Sequence, residues 1–141
     1  MADKTKFIEE LNAKYQPKGE YIVLGKGMLD GEVITEVDVN IPLKTINRHG
    51  LIAGATGTGK TKTLQVFVEQ LSHKGIPTLV MDIKGDLSGI AVEGEQNDKI
   101  NERYAKTKLP YQPQSFPVEL MTISAEKGLK LRATVTEFGP V

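Results

Sequence analysis

Residues 54–61 read GATGTGKT, and their types and spacing suit one kind of chemistry. They fit G-x-x-x-x-G-K-[ST] at every fixed position, the pattern of a loop that cradles phosphates. Gly54 lets the chain leave a strand sharply. Gly57 and Gly59 allow backbone angles, and a closeness to phosphate, that a Cβ would obstruct. The amides from Thr56 to Thr61 can then point inward as a nest for anionic oxygens. A helix that follows adds its positive end. Lys60 brings an ammonium to the β- and γ-phosphates, and the Thr61 hydroxyl takes one coordination place on Mg2+. The candidate nucleotide-contacting run is Gly54, Ala55, Thr56, Gly57, Thr58, Gly59, Lys60, Thr61 and Lys62. Lys60 is also a candidate catalytic group.

In-line attack by water needs more than a cradle. It needs a group to orient the water, a second carboxylate near the metal and a cation on the developing charge. Asp82 follows the apolar run TLVM and resembles the end of a Walker B strand, which makes it a candidate metal and catalytic carboxylate. The next residue is Ile83, so the paired acid of hydrolytic sites is absent there. The alternative role for Asp82 is a strand-end residue that caps the next turn. Lys84 and Asp86 share the DIKGD cluster with it. Either could reach a nucleotide or substrate, or the cluster is a solvated turn with Asp86 capping a short helix. Arg103 and Arg132 are candidates for a charge-stabilising finger. Arg48 and His49 suit structural roles.

These groups must be positioned by elements that the pattern also suggests. Phe7, Ile8, Leu11 and Tyr15 share one side at helical spacing over residues 4–15, with Asp3 as a possible cap and Pro17 and Gly19 as the stop. EYIVLGKG (20–27) and EVITEVDVNI (32–41) flank Asp30-Gly31, a hairpin signal, with Val33, Thr35, Val37 and Val39 expected on one face. His49 to Ala53 reads as a short strand feeding the glycine loop. From Thr61 the spacing turns helical through Leu64, Phe67, Val68 and Leu71, with Gly75 and Pro77 at its end. TLVMDI (78–83) reads as a parallel strand covered on both faces. Strand, loop, helix and strand make a βαβ unit. Residues 93–117 are polar and then proline-rich, an exposed excursion with room for a short helix around Ile100, Arg103 and Tyr104. Strands are expected at 118–123 and 129–135, with a turn at Glu126-Lys127-Gly128.

Composition sets the frame. The chain has 141 residues, 39% hydrophobic and 26% charged, as in a soluble globular domain. Lys plus Arg and Asp plus Glu both number 18, so no overall basic excess points to nucleic acid. There is no cysteine, which rules out a disulfide framework or thiolate metal site in this sequence. No apolar run approaches the ~20 residues of a membrane span, and MADKTKFIEEL lacks a signal-peptide core. A cytoplasmic location is the default expectation, with no membrane partner.

RHGLIAGATGTGKTKTLQ (48–65), VMDIKGDLSGIA (80–91) and LRATVTEFGP (131–140), with VLGKGMLDGEV upstream, resemble the HerA-like ATPases of the HerA/FtsK superfamily. The branch most similar is the bacterial YjgR type. The resemblance runs from about Phe7 onward and is weakest between Glu93 and Phe116. It implies a RecA-like ATPase core, ATP with Mg2+ as cofactors, a ring-shaped homo-oligomer and DNA translocation. Gly54, Gly57, Gly59, Lys60 and Thr61 carry over as phosphate and magnesium residues, and Asp82 and Asp86 as a family motif. Family members are several times longer, and their Walker B acids, sensor residue and arginine finger lie beyond Val141.

The combined expectation is an α/β fold. Residues 1–45 form an N-terminal helix and β-hairpin. Residues 46–141 form the N-terminal part of a P-loop NTPase domain, a partial RecA-like core with a mostly parallel sheet. The expected function is that of an ATP- and Mg2+-binding portion of a DNA-associated helicase or translocase motor. Two alternatives stand beside it: a self-sufficient small P-loop kinase with 93–117 as its lid, and a non-enzymatic interaction module with a vestigial loop.

Overall fold

The computed structural model describes residues 3–132. The expected strand residues Ala133 and Val135, and the Gly139-Pro140 terminus, lie outside the described residues. Within them the chain is an α/β arrangement of helices and short sheets.

Helix α1 (Lys4–Tyr15) begins where Asp3 accepts hydrogen bonds from the Thr5 and Lys6 N–H groups, as an N-cap should. It lies on a hairpin of β1 (Tyr21–Leu29) and β2 (Glu32–Pro42), which pair antiparallel. Asp30 (φ 48°) and Gly31 (φ 84°) both have positive φ, the requirement of a type I′ turn. Gly27 lets α1 approach closely: a Cβ there would meet Leu11 Cδ1 at 3.2 Å and Val37 at 3.4 Å.

The expected alternation on β2 is corrected by the register. Lys26 pairs with Asp38 but Gly27 pairs with Ile34, so Thr35, Glu36 and Val37 have no partner across the ladder. The irregularity changes which face each residue takes. Ile34, Val37 and Asn40 are buried, while Val33, Thr35 and Val39 are half-buried. Lys26 closes the bulge. Its ammonium donates to the Thr35 carbonyl at 2.9 Å and lies 2.6 Å from Asp38 Oδ1, an ion pair rather than an aligned hydrogen bond.

Helix α2 (Lys60–His73) buries Leu71 and half-buries Leu64, Phe67 and Val68, the stripe its spacing indicates. It stops at Gly75 (φ 70°), with Ile76 N–H bonding Leu71 O and Gly75 N–H bonding Ser72 O. That is a Schellman ending. Gln70 docks the helix on the hairpin. Its Oε1 accepts from Val23 N–H at 2.7 Å, and its Nε2 donates to Val23 O. The two bonds sit beside the register shift between Val23 and Gly25. One amide thus satisfies both backbone groups of Val23. A Lys74–Glu20 ion pair at 3.0 Å adds to the same junction.

The mostly parallel sheet is not formed among the described residues. Residues 49–53 and 78–83 run without ladder bonds, so the two strands expected around the glycine loop are not observed. Leu51, Leu79, Met81 and Ile83 stand 83% or more exposed. A doubly covered parallel strand needs a neighbour on each edge and layers on both faces. Nothing among the described residues supplies them. Among the described residues the one parallel pairing joins β3 (Met121–Thr122) to β4 (Leu129–Lys130), two residues each, beside Gly128 (φ 144°).

The 93–117 excursion contains helix α3 (Asp98–Thr107), capped by Asn97, whose side chain accepts from Ile100 N–H. Aromatic contacts tie the excursion down. Tyr104 stacks on Tyr111 at 4.5 Å, and Phe116 meets His73 of α2 edge-on at 5.1 Å. Among the described residues no helix is long and apolar enough to cross a membrane.

Candidate nucleotide site

The glycine loop closes on one carbonyl. Ala55 O accepts from Thr58 N–H at 3.4 Å, Thr58 Oγ1 at 2.8 Å and Lys60 Nζ at 2.7 Å. The first of these defines a turn over residues 55–58. Gly57 is its third residue, with φ 80°, a value that turns of this kind reserve for glycine. Gly59 follows at φ 95° and ψ 18° as the residue before α2, with no side-chain cap on the helix. A Cβ at Gly54 would come within 2.6 Å of Thr58 Oγ1. All three glycines therefore answer to a local requirement.

The first helical bond of α2 runs from Thr63 N–H to Gly59 O at 2.9 Å. The N–H groups of Gly57, Gly59, Lys60 and Thr61 have no acceptor among the described residues. They are the orphan donors that every helix start carries, extended back into the loop. Two positive-φ glycines and uncapped N–H groups at a helix start fit a polyphosphate. The loop is exposed, with Lys60 and Thr61 half-buried at its helical end.

The DIKGD cluster folds onto that end. Asp82 Oδ1 accepts from the N–H groups of Lys84 at 3.1 Å and Gly85 at 2.9 Å, and Oδ2 from Leu87 at 2.7 Å. The Leu87 bond, followed by those of Gly85 and Lys84, holds this exposed carboxyl below the usual carboxylate range. Gly85 (φ 79°) makes the sharp bend that gathers these donors. A 3-10 turn over Ser88–Ala91 then buries Ile90 and fixes the far end of the cluster.

The bend brings Asp86 to the loop. Asp86 Oδ2 lies 3.5 Å from Thr61 Oγ1, and its carbonyl accepts from Gln65 Nε2 at 3.0 Å. Gln65 is only 7% exposed. Thr61 and Gln65 are one helical turn apart and therefore face the same way. A threonine hydroxyl and a carboxylate are hard oxygen donors of the sort magnesium takes.

Other groups named from the sequence stand apart. Asp82 makes no hydrogen bond to the loop among the described residues. Lys84, Arg48, His49, Arg103 and Arg132 are exposed, and none makes an ion pair among the described residues. Gln65 and Gln70 were not singled out from the sequence. Their signal was faint: two amides on an otherwise amphipathic helix, Gln65 one turn beyond Thr61.

Residues 28–141 match the family model described as Helicase HerA-like C-terminal. A probable helicase of Methanocaldococcus jannaschii is 35% identical over 78 residues, which cover 52% of this chain and 15% of the relative. The DNA double-strand break repair helicase HerA of Saccharolobus solfataricus is 32% identical over 78 residues, 55% of this chain and 14% of the relative. The matches thus span about one-seventh of these relatives. No solved structure matches the chain significantly. With its glycine loop and most of its length inside the matched region, the chain belongs to the helicase HerA-like C-terminal family.

Proposed function

We propose that this chain is the phosphate-binding portion of a HerA-like P-loop ATPase that works on DNA as a helicase or translocase. The observation that carries this reading is the glycine loop at the start of α2, with its uncommitted N–H groups and with Lys60 and Thr61 in the first turn. Gly54 to Lys62 hold the polyphosphate, Lys60 neutralises it, and Thr61 takes a place on Mg2+. Bound magnesium supplies charge neutralisation across the phosphates. The chain's own part is to orient the nucleotide and fix the donors before it arrives.

The exposed apolar segments support a larger core. Leu79, Met81 and Ile83 alternate along 78–83 and are 83%, 89% and 102% exposed. Such a row suits a strand of a RecA-like sheet whose neighbours come from the rest of a longer protein. Assembly as a homo-oligomeric ring and a cytoplasmic location belong to the same proposal. The net charge of zero predicts weak DNA affinity for these residues alone.

The test is nucleotide binding by calorimetry, with magnesium present. The expected result is saturable ATP binding that Lys60→Ala weakens by at least about tenfold, since one charge-assisted phosphate contact is worth about 1.5–3 kcal/mol. No binding at millimolar ATP would overturn the proposal and favour an interaction module instead.

A further inference from the structure

Two carboxylates lie in the DIKGD cluster, and the fold treats them differently. The Asp82 carboxylate is occupied on both oxygens by the backbone N–H groups of Lys84, Gly85 and Leu87. Those bonds shape the bend that follows it. Among the described residues the Asp86 carboxylate has one hydrogen-bond partner, the Thr61 hydroxyl at 3.5 Å. Its backbone is held instead, by the bond from Gln65 Nε2 to Asp86 O at 3.0 Å. Gln65 is a nearly buried polar side chain on the same face of α2 as Thr61. An amide kept at 7% exposure to grip one carbonyl places that residue with some accuracy.

We infer that Asp86, rather than Asp82, joins Thr61 in holding the nucleotide's magnesium, with Gln65 as the residue that positions it and Asp82 as the brace of its turn. This rests on the nucleotide-binding reading above. Neighbouring oxygens in a magnesium octahedron lie about 2.9 Å apart, from bond lengths of about 2.0–2.1 Å. The Thr61 and Asp86 oxygens are 3.5 Å apart, and Asp86 is exposed and able to adjust. It can reach the ion directly or through one of the waters that magnesium keeps. A carboxylate at this place has opposite effects with and without the metal. It repels bare polyphosphate and supports the metal complex. That sign reversal separates a metal role from a purely structural one.

The experiment is ATP binding to the full chain by calorimetry, once in excess magnesium and once in EDTA. It compares the wild type with Asp86→Asn, Asp82→Asn and Gln65→Ala. Far-UV circular dichroism checks the fold of each. The quantity read is the ratio of the two affinities. Asp86→Asn is expected to shrink that ratio by about tenfold or more, the usual cost of losing a metal-supporting group, while binding in EDTA is unchanged or tighter. Gln65→Ala should shrink it in the same direction by a smaller factor. Asp82→Asn should keep the ratio and lower the melting temperature. Manganese EPR in the presence of ATP provides a second readout, with fewer bound ions for Asp86→Asn.

The inference is overturned if Asp86→Asn keeps the wild-type ratio, or if folded Asp82→Asn is the variant that loses it. A wild type that binds ATP with no gain from magnesium also overturns it, while leaving the phosphate loop intact. A wild type that binds no ATP in either condition overturns the nucleotide reading and this inference with it. A Gln65→Ala ratio equal to wild type removes the positioning role.

Discussion

Gln70→Ala tests how the helix that follows the glycine loop is joined to the hairpin. The side chain accepts from Val23 N–H at 2.7 Å and donates to Val23 O, so truncation strands both backbone groups at once. A hydrogen bond contributes about 1 kcal/mol net, but an abandoned dry partner costs about 1–3 kcal/mol. Val23 is half-buried, so water compensates only in part, and the expected loss is about 2–4 kcal/mol. Against a typical stability of about 5–15 kcal/mol, that is a large share. With a urea dependence of about 1–3 kcal/mol per molar, the unfolding midpoint should fall by about 1–2 M. Amide exchange at Val23 should speed up in step. Gln70→Glu keeps the acceptor for Val23 N–H but faces the Val23 carbonyl with a second oxygen, so it should destabilise as well. Gln70 lies outside the loop, so under the proposed nucleotide-binding function the ATP affinity of the folded variant should stay near wild type. A loss below about 0.5 kcal/mol with unchanged Val23 exchange would refute the docking argument.

Three further outcomes follow from the charges. Asp38→Asn removes the counter-charge of the Lys26 ammonium, whose side chain is 9% exposed, while leaving it an amide oxygen and the Thr35 carbonyl, and thermal melting should show a loss of about 2–3 kcal/mol, less than the about 3–5 kcal/mol of a fully buried broken pair because Asp38 is partly exposed. Burial raises the Glu69 carboxyl above its ordinary value, so its contribution to stability is present below that value and lost as pH rises; Glu69→Gln should be more stable than wild type at neutral pH, with the gain fading toward pH 4, read as melting temperature against pH. The depressed Asp82 carboxyl has the opposite sign: its bonds stabilise the turn above the ordinary carboxylate range and are lost as pH falls through its lowered value. The Leu87 and Gly85 amide resonances should report that change together, at a pH below the ordinary range of an aspartate carboxyl.

Local features were legible in the sequence because local chemistry sets them. Asp3 caps α1, Asp30-Gly31 turns the hairpin, and Gly75 ends α2, each through backbone angles or bonds within a few residues. The glycine loop belongs to the same class. Positive φ at Gly57 and Gly59, and the crowding at Gly54, are demands of the segment itself. The helix within 93–117 was also within reach, since Asn97 and the spacing of Ile100 and Tyr104 are local signals.

Contacts distant in sequence were not legible. The face of β2 that turns inward depends on how Lys26, Gly27, Ile34 and Asp38 register across the ladder, and period-two alternation carries no information about a bulge. The expected strands at 49–53 and 78–83 show the converse. Their apolar patterns are strand-like, but a strand exists only when another supplies its hydrogen bonds, and the described residues supply none. At the candidate site, residue types alone drew the eye to Asp82 because it follows an apolar run. Only the folded chain shows Asp82 occupied by its own turn and Asp86 set beside Thr61 with its carbonyl on Gln65. The sequence by itself determined the loop and the starts and stops of the helices, because those depend on neighbours along the chain. Which carboxylate meets the loop, and which amide joins helix to hairpin, was decided by tertiary structure, because those contacts close between residues 21 to 47 positions apart.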